Sequence, residues 1–298
     1  MRRVLVLGGA GMLGHKVLQI FGEHCEVAGT FRVVPAAMKA STKYRGMRIF
    51  EGIDVWDRDS VKRAIDTFRP HAIINCVGLI KQLHAAKQPK PSIYLNALFP
   101  HLLNEMASQA DARLVHVSTD CVFDGCKGDY TESDPPTAVD LYGRTKFLGE
   151  VHDRNALTLR TSIIGHELDS SRSLVDWFLS QSGKVVSGYA KVVYTGLPTV
   201  VLCKELWRIL ENFPALCGLH QISSEKITKY DLLKTIQDVY GLQVDLNPVT
   251  SPIIDRSLDS ASYRAATGFR PKSWGDMVKD MHADYVHCEY GRLVHKFR

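Results

Sequence analysis

The chain has 298 residues, 45% of them hydrophobic and 23% charged, which excludes a disordered or fibrous protein. Lys and Arg number 37 against 32 Asp and Glu, a formal charge of +5 scattered without a basic run; this suits an anionic small-molecule ligand and argues against nucleic acid as a partner. The apolar runs are strand-sized, far below the ~20 residues that span a bilayer, and Met1-Arg2-Arg3 opens no secretion signal, so no membrane association and a cytoplasmic location are expected. Cysteines at 25, 76, 121, 126, 203, 217 and 288 form no CxxC pair and are expected to be reduced and packed as small hydrophobes.

Val4–Leu7 is a continuous apolar run and predicts a strand buried on both faces. Glycines follow, then helical spacing over Lys16–Phe21 and a strand over Glu26–Thr30. Ser60–Phe68 carries Val61, Ala64, Ile65 and Phe68 as a helical stripe, and Ala72–Cys76 reads as a strand. Next come a helix over Ile93–Ala107, a strand over Arg113–Ser118, a helix over Tyr142–Val151 and a strand over Leu157–Thr161. This alternation predicts an α/β protein with a Rossmann-like, doubly wound parallel sheet. Past Gly165 the pattern changes to a helix over Ser173–Ser182, a strand at Val185-Val186, a helix over Pro198–Leu210 and a strand over Gly218–Ser223. From Thr228 onward the reading is helix, short strand and helix, with Pro248 and Pro252 breaking the middle. The expected layout is a dinucleotide-binding domain over 1–165, rejoined at 188–223, and a smaller α/β substrate-binding cap over 166–187 and 224–298.

Gly8-Gly9-Ala10-Gly11-Met12-Leu13-Gly14 spells GxxGxxG between a strand and a helix. Gly8 permits the tight turn, Gly11 lets backbone approach a pyrophosphate, and Gly14 lets helix and strand pack closely, with the helix N–H groups of Met12 and Leu13 turned to the anion. The second strand ends in Thr30-Phe31-Arg32, with no acid for a ribose 2′-hydroxyl. A guanidinium suits a 2′-phosphate, so NADPH is the expected cofactor, with NADH as the alternative. Tyr142-Gly143-Arg144-Thr145-Lys146 is YxxxK, which stacks a phenol and an ammonium on one helix face. The ammonium favours the phenolate, and the phenol can protonate a carbonyl oxygen as hydride arrives at its carbon. Ser118-Thr119 ends a strand upstream, at the edge where such sheets bind ligands. No His/Cys cluster has zinc-ligand spacing: His282 and His287, five apart, fall on different helix faces.

In this order the motifs resemble the extended short-chain dehydrogenase/reductases, and most closely the dTDP-4-dehydrorhamnose reductase family. Val117-Ser118-Thr119-Asp120-Cys121-Val122-Phe123-Asp124-Gly125 resembles that family's STDYVFxG segment, and Leu159-Arg160-Thr161-Ser162 its RTS strand. Gly196-Leu197-Pro198-Thr199, Arg256-Ser257-Leu258-Asp259-Ser260, Gly268-Phe269-Arg270-Pro271 and Trp274 extend the resemblance over nearly the whole chain. It implies NADPH-dependent reduction of the 4-keto group of a nucleotide-linked 6-deoxyhexulose, in deoxysugar nucleotide biosynthesis. Tyr142 would be the acid, Thr119 would bind the substrate oxygen, and Lys146 would bind the nicotinamide ribose. Asp54 and Val55 would lie by the adenine, and Cys76, Val77 and Gly78 along the cofactor. Ser118, Asp120 and Arg256 would contact the nucleotide-diphosphate sugar, and Asn96 matches a helix-kinking Asn. A homodimer is compatible with the sequence.

Two departures stand out: Cys121 replaces the family's Tyr, and the lysine-bearing loop Lys81–Lys90 is unlike the common segment and a candidate for substrate phosphates. A dehydratase is disfavoured because Cys121 stands where its Glu would be, and a 4-epimerase because Arg32 stands where its acid would be. An epimerase–reductase of the GDP-fucose synthase kind would use Cys121 and His166, with Lys127 or His166 as the cation beside the thiol. A third reading is a non-catalytic NADP-binding subunit, since a regulatory subunit of methionine adenosyltransferase resembles the same family.

Overall fold

The computed structural model of the protein describes residues 2–80, 87–168 and 170–288. Strand β1 (Arg3–Leu7) turns through the glycines into α1 (Met12–Gly22), followed by β2 (Glu26–Phe31), α2 (Ala36–Ala40), β3 (Arg48–Glu51), α3 (Arg58–Phe68) and β4 (Ala72–Asn75). Then come α4 (Pro89–Ser92), α5 (Phe99–Gln109), β5 (Arg113–Thr119), α6 (Leu141–Leu148) and β6 (Ala156–Thr161). The later strands are β7 (Ile163–Ile164), β8 (Val185–Tyr189), β9 (Val192–Tyr194), β10 (Leu197–Pro198), β11 (Gly218–Gln221), β12 (Ile227–Thr228), β13 (Asp245–Val249) and β14 (Ile254–Asp255). The later helices are α7 (Leu174–Leu179), α8 (Thr199–Asn212), α9 (Lys229–Tyr240), α10 (Ala261–Thr267) and α11 (Trp274–His287).

Seven strands form one sheet in the order β11-β6-β5-β4-β1-β2-β3. β1 lies between β2 and β4, parallel to both, with Val4 facing Val27 on one side and Ala72 on the other. Val4–Leu7 are fully enclosed, which is why the sequence shows an unbroken apolar run there. The strand order runs outward in opposite directions from β1 and β4, so the topological switch lies at their C-terminal ends. This is the expected Rossmann-like architecture. β3 carries no apolar signal because it is the sheet edge: Arg48, Ile49 and Glu51 are exposed, and Phe50 alone tucks in, edge-on against Phe68 at 6.2 Å. Helix α3 starts at Asp57, whose side chain accepts from Asp59 N at 3.0 Å, and buries the predicted stripe.

The helix expected over Ile93–Ala107 is interrupted. Residues Ile93–Leu98 form a π-helical segment ahead of α5. Pro100 has no N–H to donate to the carbonyl of residue 96, and its ring would crowd that carbonyl, so the helix widens. Asn96 uses its freed position: its Oδ1 accepts from Leu79 N at 2.8 Å and its Nδ2 reaches Thr145 Oγ1 at 3.5 Å. Gly149, just after α6, backs onto the same residue; a Cβ there would lie 1.9 Å from the Asn96 carbonyl oxygen.

The chain divides into two compact units, one of residues 1–119, 139–159 and 203–219, the other of 120–138, 160–202 and 220–298. In the second unit, β12-β9-β14 form a three-stranded sheet and β13 pairs in parallel with β8. Pro248 lies inside β13, opposite Gly188, rather than breaking the chain there. In a two-stranded ladder each strand is an edge, where a missing N–H is tolerated. Helix α9 runs from a Thr228 cap, whose hydroxyl accepts from Asp231 N at 3.0 Å, to Gly241 in the left-handed region at φ 66°. Residues 120–138 are zipped to 255–258 by Tyr130 N to Ser257 O and Asp255 N to Gly125 O, around Phe123 stacked on Tyr130 at 4.0 Å. Among the described residues, no helix is long and apolar enough to cross a membrane.

The glycine turn gives a direct test of close packing. A Cβ on Gly14 would sit 2.1 Å from Gly8 O, a backbone atom that cannot step aside, whereas one on Gly11 would meet nothing nearer than 3.5 Å. Gly14→Ala is expected to destabilise the fold by about 1–3 kcal/mol, and Gly11→Ala by less than about 0.5 kcal/mol. Urea unfolding of the two variants checks the contrast.

Candidate active site

The glycine turn follows β1. Gly8 takes φ +79°, and a Cβ on it would press the Cys76 carbonyl group at 3.1 Å. Gly9 N donates to Thr30 O at 3.1 Å and Gly11 N to Gly8 O at 3.0 Å, which closes the loop over the ends of β1 and β2. Gly11 is the N-cap of α1, with no side chain capping the helix and no acid in its first turn, which includes Met12, Leu13 and Gly14. Small residues, an uncapped helix start and a close-approach cradle fit the pyrophosphate of a dinucleotide. Arg32 stands exposed just past β2, and its guanidinium has no hydrogen bond or ion pair among the described residues.

Asp54 and Val55 form the turn between β3 and α3. Asp54 Oδ1 accepts from Trp56 N at 3.1 Å, and Val55 O accepts from the Tyr94 hydroxyl at 2.9 Å. Trp56 and Tyr94 stack at 4.1 Å beside it. Cys76, Val77 and Gly78 leave the end of β4. Asn75 Oδ1 holds Val77 N at 3.1 Å, and Asn96 holds Leu79, so this strip is fixed from both sides. Residues 81–86 of the lysine-bearing loop lie outside the described residues.

Helix α6 presents the predicted pair. Asp140 caps it, accepting from Gly143 N at 2.8 Å, and Tyr142 follows, half-buried. One turn on, Lys146 is 6% exposed, and its Nζ donates to Val117 O at 2.8 Å, near the end of β5. Burial pushes its pKa down to about 8, opposed by the Glu150 carboxylate and then by Cys76. Cys76 in turn is pushed up to about 12, chiefly by burial, with Lys146 opposing. His116, on β5, is fully buried, held by Asn75 Nδ2 at 3.1 Å, and burial and then Lys146 drive its pKa well below the usual value, so it is neutral. Ser118 Oγ donates to Glu150 Oε1 at 2.7 Å, leaving the serine with lone pairs only for another partner. Thr119, 7% exposed, ends β5. The first unit thus gathers the glycine turn, Cys76, Ser118 and Lys146 around the C-terminal ends of β1, β4 and β5, with Tyr142 one helical turn before Lys146 on α6. Glu150 was not among the residues singled out from the sequence, although its place one turn beyond Lys146 is a legible signal.

Asp120, Cys121 and Arg256 belong to the second unit. Arg256 Nε donates to Phe123 O at 2.8 Å. Lys229 lies in charge range of Cys121: burial lowers the Lys229 pKa, and Asp120 and Cys121 oppose it while Arg256 adds to it. Lys229 Nζ lies 5.0 Å from the ring centre of Tyr194 and has no hydrogen bond or ion pair among the described residues. Lys127 is paired with Asp134 at 2.5 Å. His166 has both ring nitrogens engaged, Nδ1 with Asp176 Oδ1 at 2.6 Å and Nε2 with the Tyr240 hydroxyl at 2.8 Å. Lys229 lies over a hundred residues from Cys121 in sequence, and no local motif announces it.

The profile of the RmlD substrate binding domain matches residues 1–287. The chain belongs to the RmlD substrate binding domain family. The chain is 30% identical over 270 residues to methionine adenosyltransferase 2 subunit beta of Pongo abelii, covering 85% of this chain and 77% of that protein. It is 24% identical over 307 residues to the dTDP-4-dehydrorhamnose reductase of Aggregatibacter actinomycetemcomitans, covering 95% and 99%. The crystal structure of dTDP-4-dehydrorhamnose reductase from Bacillus anthracis in complex with NADP superposes with a TM-score of 0.77 at 19% identity, over 95% of this chain and 100% of that one. The resemblance read from the motifs is therefore borne out at the level of the family and the fold.

The cysteines of this RmlD family member are not uniformly packed as hydrophobes: Cys25, Cys203 and Cys288 are buried, Cys76 and Cys121 intermediate, and Cys126 and Cys217 exposed. Alkylation requires the thiolate, so raised pKa and burial both protect. With iodoacetamide at pH 8, Cys217 is expected to react first, while Cys76, pushed up to about 12, and Cys25, pushed up to about 11, stay unmodified until the protein is unfolded. Site-resolved mass spectrometry reads the order.

Proposed function

We propose that the protein uses NADPH to reduce the 4-keto group of a nucleotide-linked 6-deoxyhexulose, a step in deoxysugar nucleotide biosynthesis of the kind that serves cell-surface polysaccharide. The observation that carries this reading is the buried Lys146 ammonium, held at Val117 O one helical turn from Tyr142. Bound NADPH would supply the hydride. Tyr142 gives its proton to the carbonyl oxygen, Thr119 hydrogen-bonds that oxygen, and Lys146 binds the nicotinamide ribose and favours the phenolate left on Tyr142. Gly8, Gly11, Met12, Leu13 and Gly14 take the pyrophosphate, Arg32 the 2′-phosphate, and Asp54 and Val55 the adenine side. Cys76, Val77 and Gly78 flank the cofactor. The first unit is then the dinucleotide-binding domain and the second the substrate-binding cap. Ser118 and Asp120 contact the sugar, and Arg256 and Lys229 supply positive charge for the diphosphate. Lys229 supports this because its charge is held in a partly desolvated place with no ion-pair partner among the described residues.

A second reading is a non-catalytic, NADP-binding subunit, favoured by the likeness to the methionine adenosyltransferase subunit. The two are separated by incubating the protein with NADPH and a panel of dTDP-, UDP- and GDP-linked 4-keto-6-deoxyhexoses. Steady loss of NADPH absorbance supports the reductase; binding of NADPH with no turnover on any member of the panel supports the subunit.

For the active keto-sugar, Tyr142→Phe is expected to lower kcat by about 10²–10⁴-fold while NADPH still binds. Wild-type turnover in that variant would remove Tyr142 from the acid role. Arg32→Ala is expected to weaken NADPH by roughly tenfold to a hundredfold, the worth of one charge-assisted hydrogen bond, and to leave NADH nearly unchanged. Fluorescence titration with both coenzymes measures the difference, and equal losses would take Arg32 away from the 2′ position.

A further inference from the structure

Glu150 is 3% exposed, yet it lies two residues past the end of α6, where the chain would ordinarily turn outward. Its place is set by backbone packing. Gly149 approaches the Asn96 carbonyl so closely that no side chain fits between them, and Glu150 N donates to Phe147 O at 3.0 Å. The carboxylate is thereby turned inward, one turn beyond Lys146 and two beyond Tyr142. There it accepts the Ser118 hydroxyl at 2.7 Å, while Lys146 Nζ donates to the carbonyl of the adjacent Val117 at 2.8 Å. The two contacts tie successive residues of β5 to one end of α6.

A buried ammonium needs a counter-charge or it sheds its proton. The titratable groups around Lys146 are Glu150 beyond its own helix, Cys76 after β4, His116 on β5 and Tyr142 on α6. Cys76 is a neutral thiol near neutral pH and His116 a neutral imidazole, so neither supplies negative charge there. Glu150 is the carboxylate, among the described residues, that offsets the burial of Lys146.

We propose that Glu150 is a positioning residue of the site: its carboxylate orients Ser118 by a hydrogen bond and keeps Lys146 in the ammonium form near neutral pH. The proposal rests on the reductase reading only for its consequence in turnover, since the protonation of Lys146 is a property of the cofactor-free protein. The sign is fixed. Lys146 is a cation below its midpoint and neutral above it, so removing a neighbouring negative charge moves the midpoint to lower pH. The acceptor function and the charge separate by substitution. Glu150→Gln keeps an oxygen for Ser118 and loses the charge; Ser118→Ala loses the hydrogen bond and keeps the charge.

The test is competitive trace acetylation of the cofactor-free protein across pH, with site-resolved mass spectrometry reading the free-amine fraction of Lys146. Wild type is expected to titrate near pH 8. Glu150→Gln is expected to titrate about one pH unit lower or more, Glu150→Asp between the two, and Ser118→Ala with the wild-type midpoint. NADPH affinity, followed by fluorescence, should lose its high-pH limb at correspondingly lower pH in Glu150→Gln. Should Glu150→Gln fail to fold, Glu150→Asp carries the test, because its shorter reach weakens the same interaction. A wild-type midpoint in the folded variant, or an equal fall in Ser118→Ala, overturns the proposal. Absence of turnover on every keto-sugar alongside the expected fall in Glu150→Gln would count against the reductase reading and leave the role of Glu150 supported.

Discussion

A single ammonium, removed from water at the end of β5, is the constraint around which the first unit is organised. Lys146 cannot remain charged in that position without an oxygen to receive its proton donors and an anion to balance burial. Val117 O supplies the first and Glu150 the second. The cost is visible in the neighbours: His116 is held neutral and the Cys76 thiol is kept protonated by the same dry surroundings. In such low-dielectric surroundings a charge acts on its neighbours more strongly than in water, where it would be screened.

At three places in the first unit the backbone comes closer than side chains would allow. Gly14 meets Gly8, Gly8 meets Cys76, and Gly149 meets Asn96. The last contact has its origin in Pro100, which forfeits the hydrogen bond that the residue 96 carbonyl would have received and widens the helix into a π segment. Asn96 then spends its side chain on Leu79, which steadies the strip that begins at Cys76. A proline, an asparagine and a glycine spread over fifty residues thus fix one wall.

The second unit holds a different kind of chemistry. Its 120–138 segment is bonded to residues 255–258 and carries Asp120 and Cys121, while Arg256 and Lys229 bring positive charge to the same neighbourhood. Lys229 is in charge range of Cys121. His166 is held in a buried polar cluster, its two ring nitrogens bonded to Asp176 and Tyr240.

The sequence by itself determined the sheet, the glycine turn and the YxxxK helix, because each depends on residues adjacent in the chain: an apolar run buried on both faces, glycines at fixed offsets, and two side chains one helical turn apart. The edge strand β3 and the π segment before α5 were not legible in that way, since an exposed edge leaves no apolar pattern and one proline in a helical stripe resembles the many that are harmless. Glu150 lay between the two cases, with the right spacing from Lys146 but no indication from the sequence that it turns inward. That was decided by Gly149 packing on Asn96. The charge beside Cys121 was decided by tertiary structure, because Lys229 is brought into range of Asp120, Cys121 and Arg256 by the folding of segments far apart in the chain, and electrostatic proximity of that kind leaves no periodic trace in a sequence.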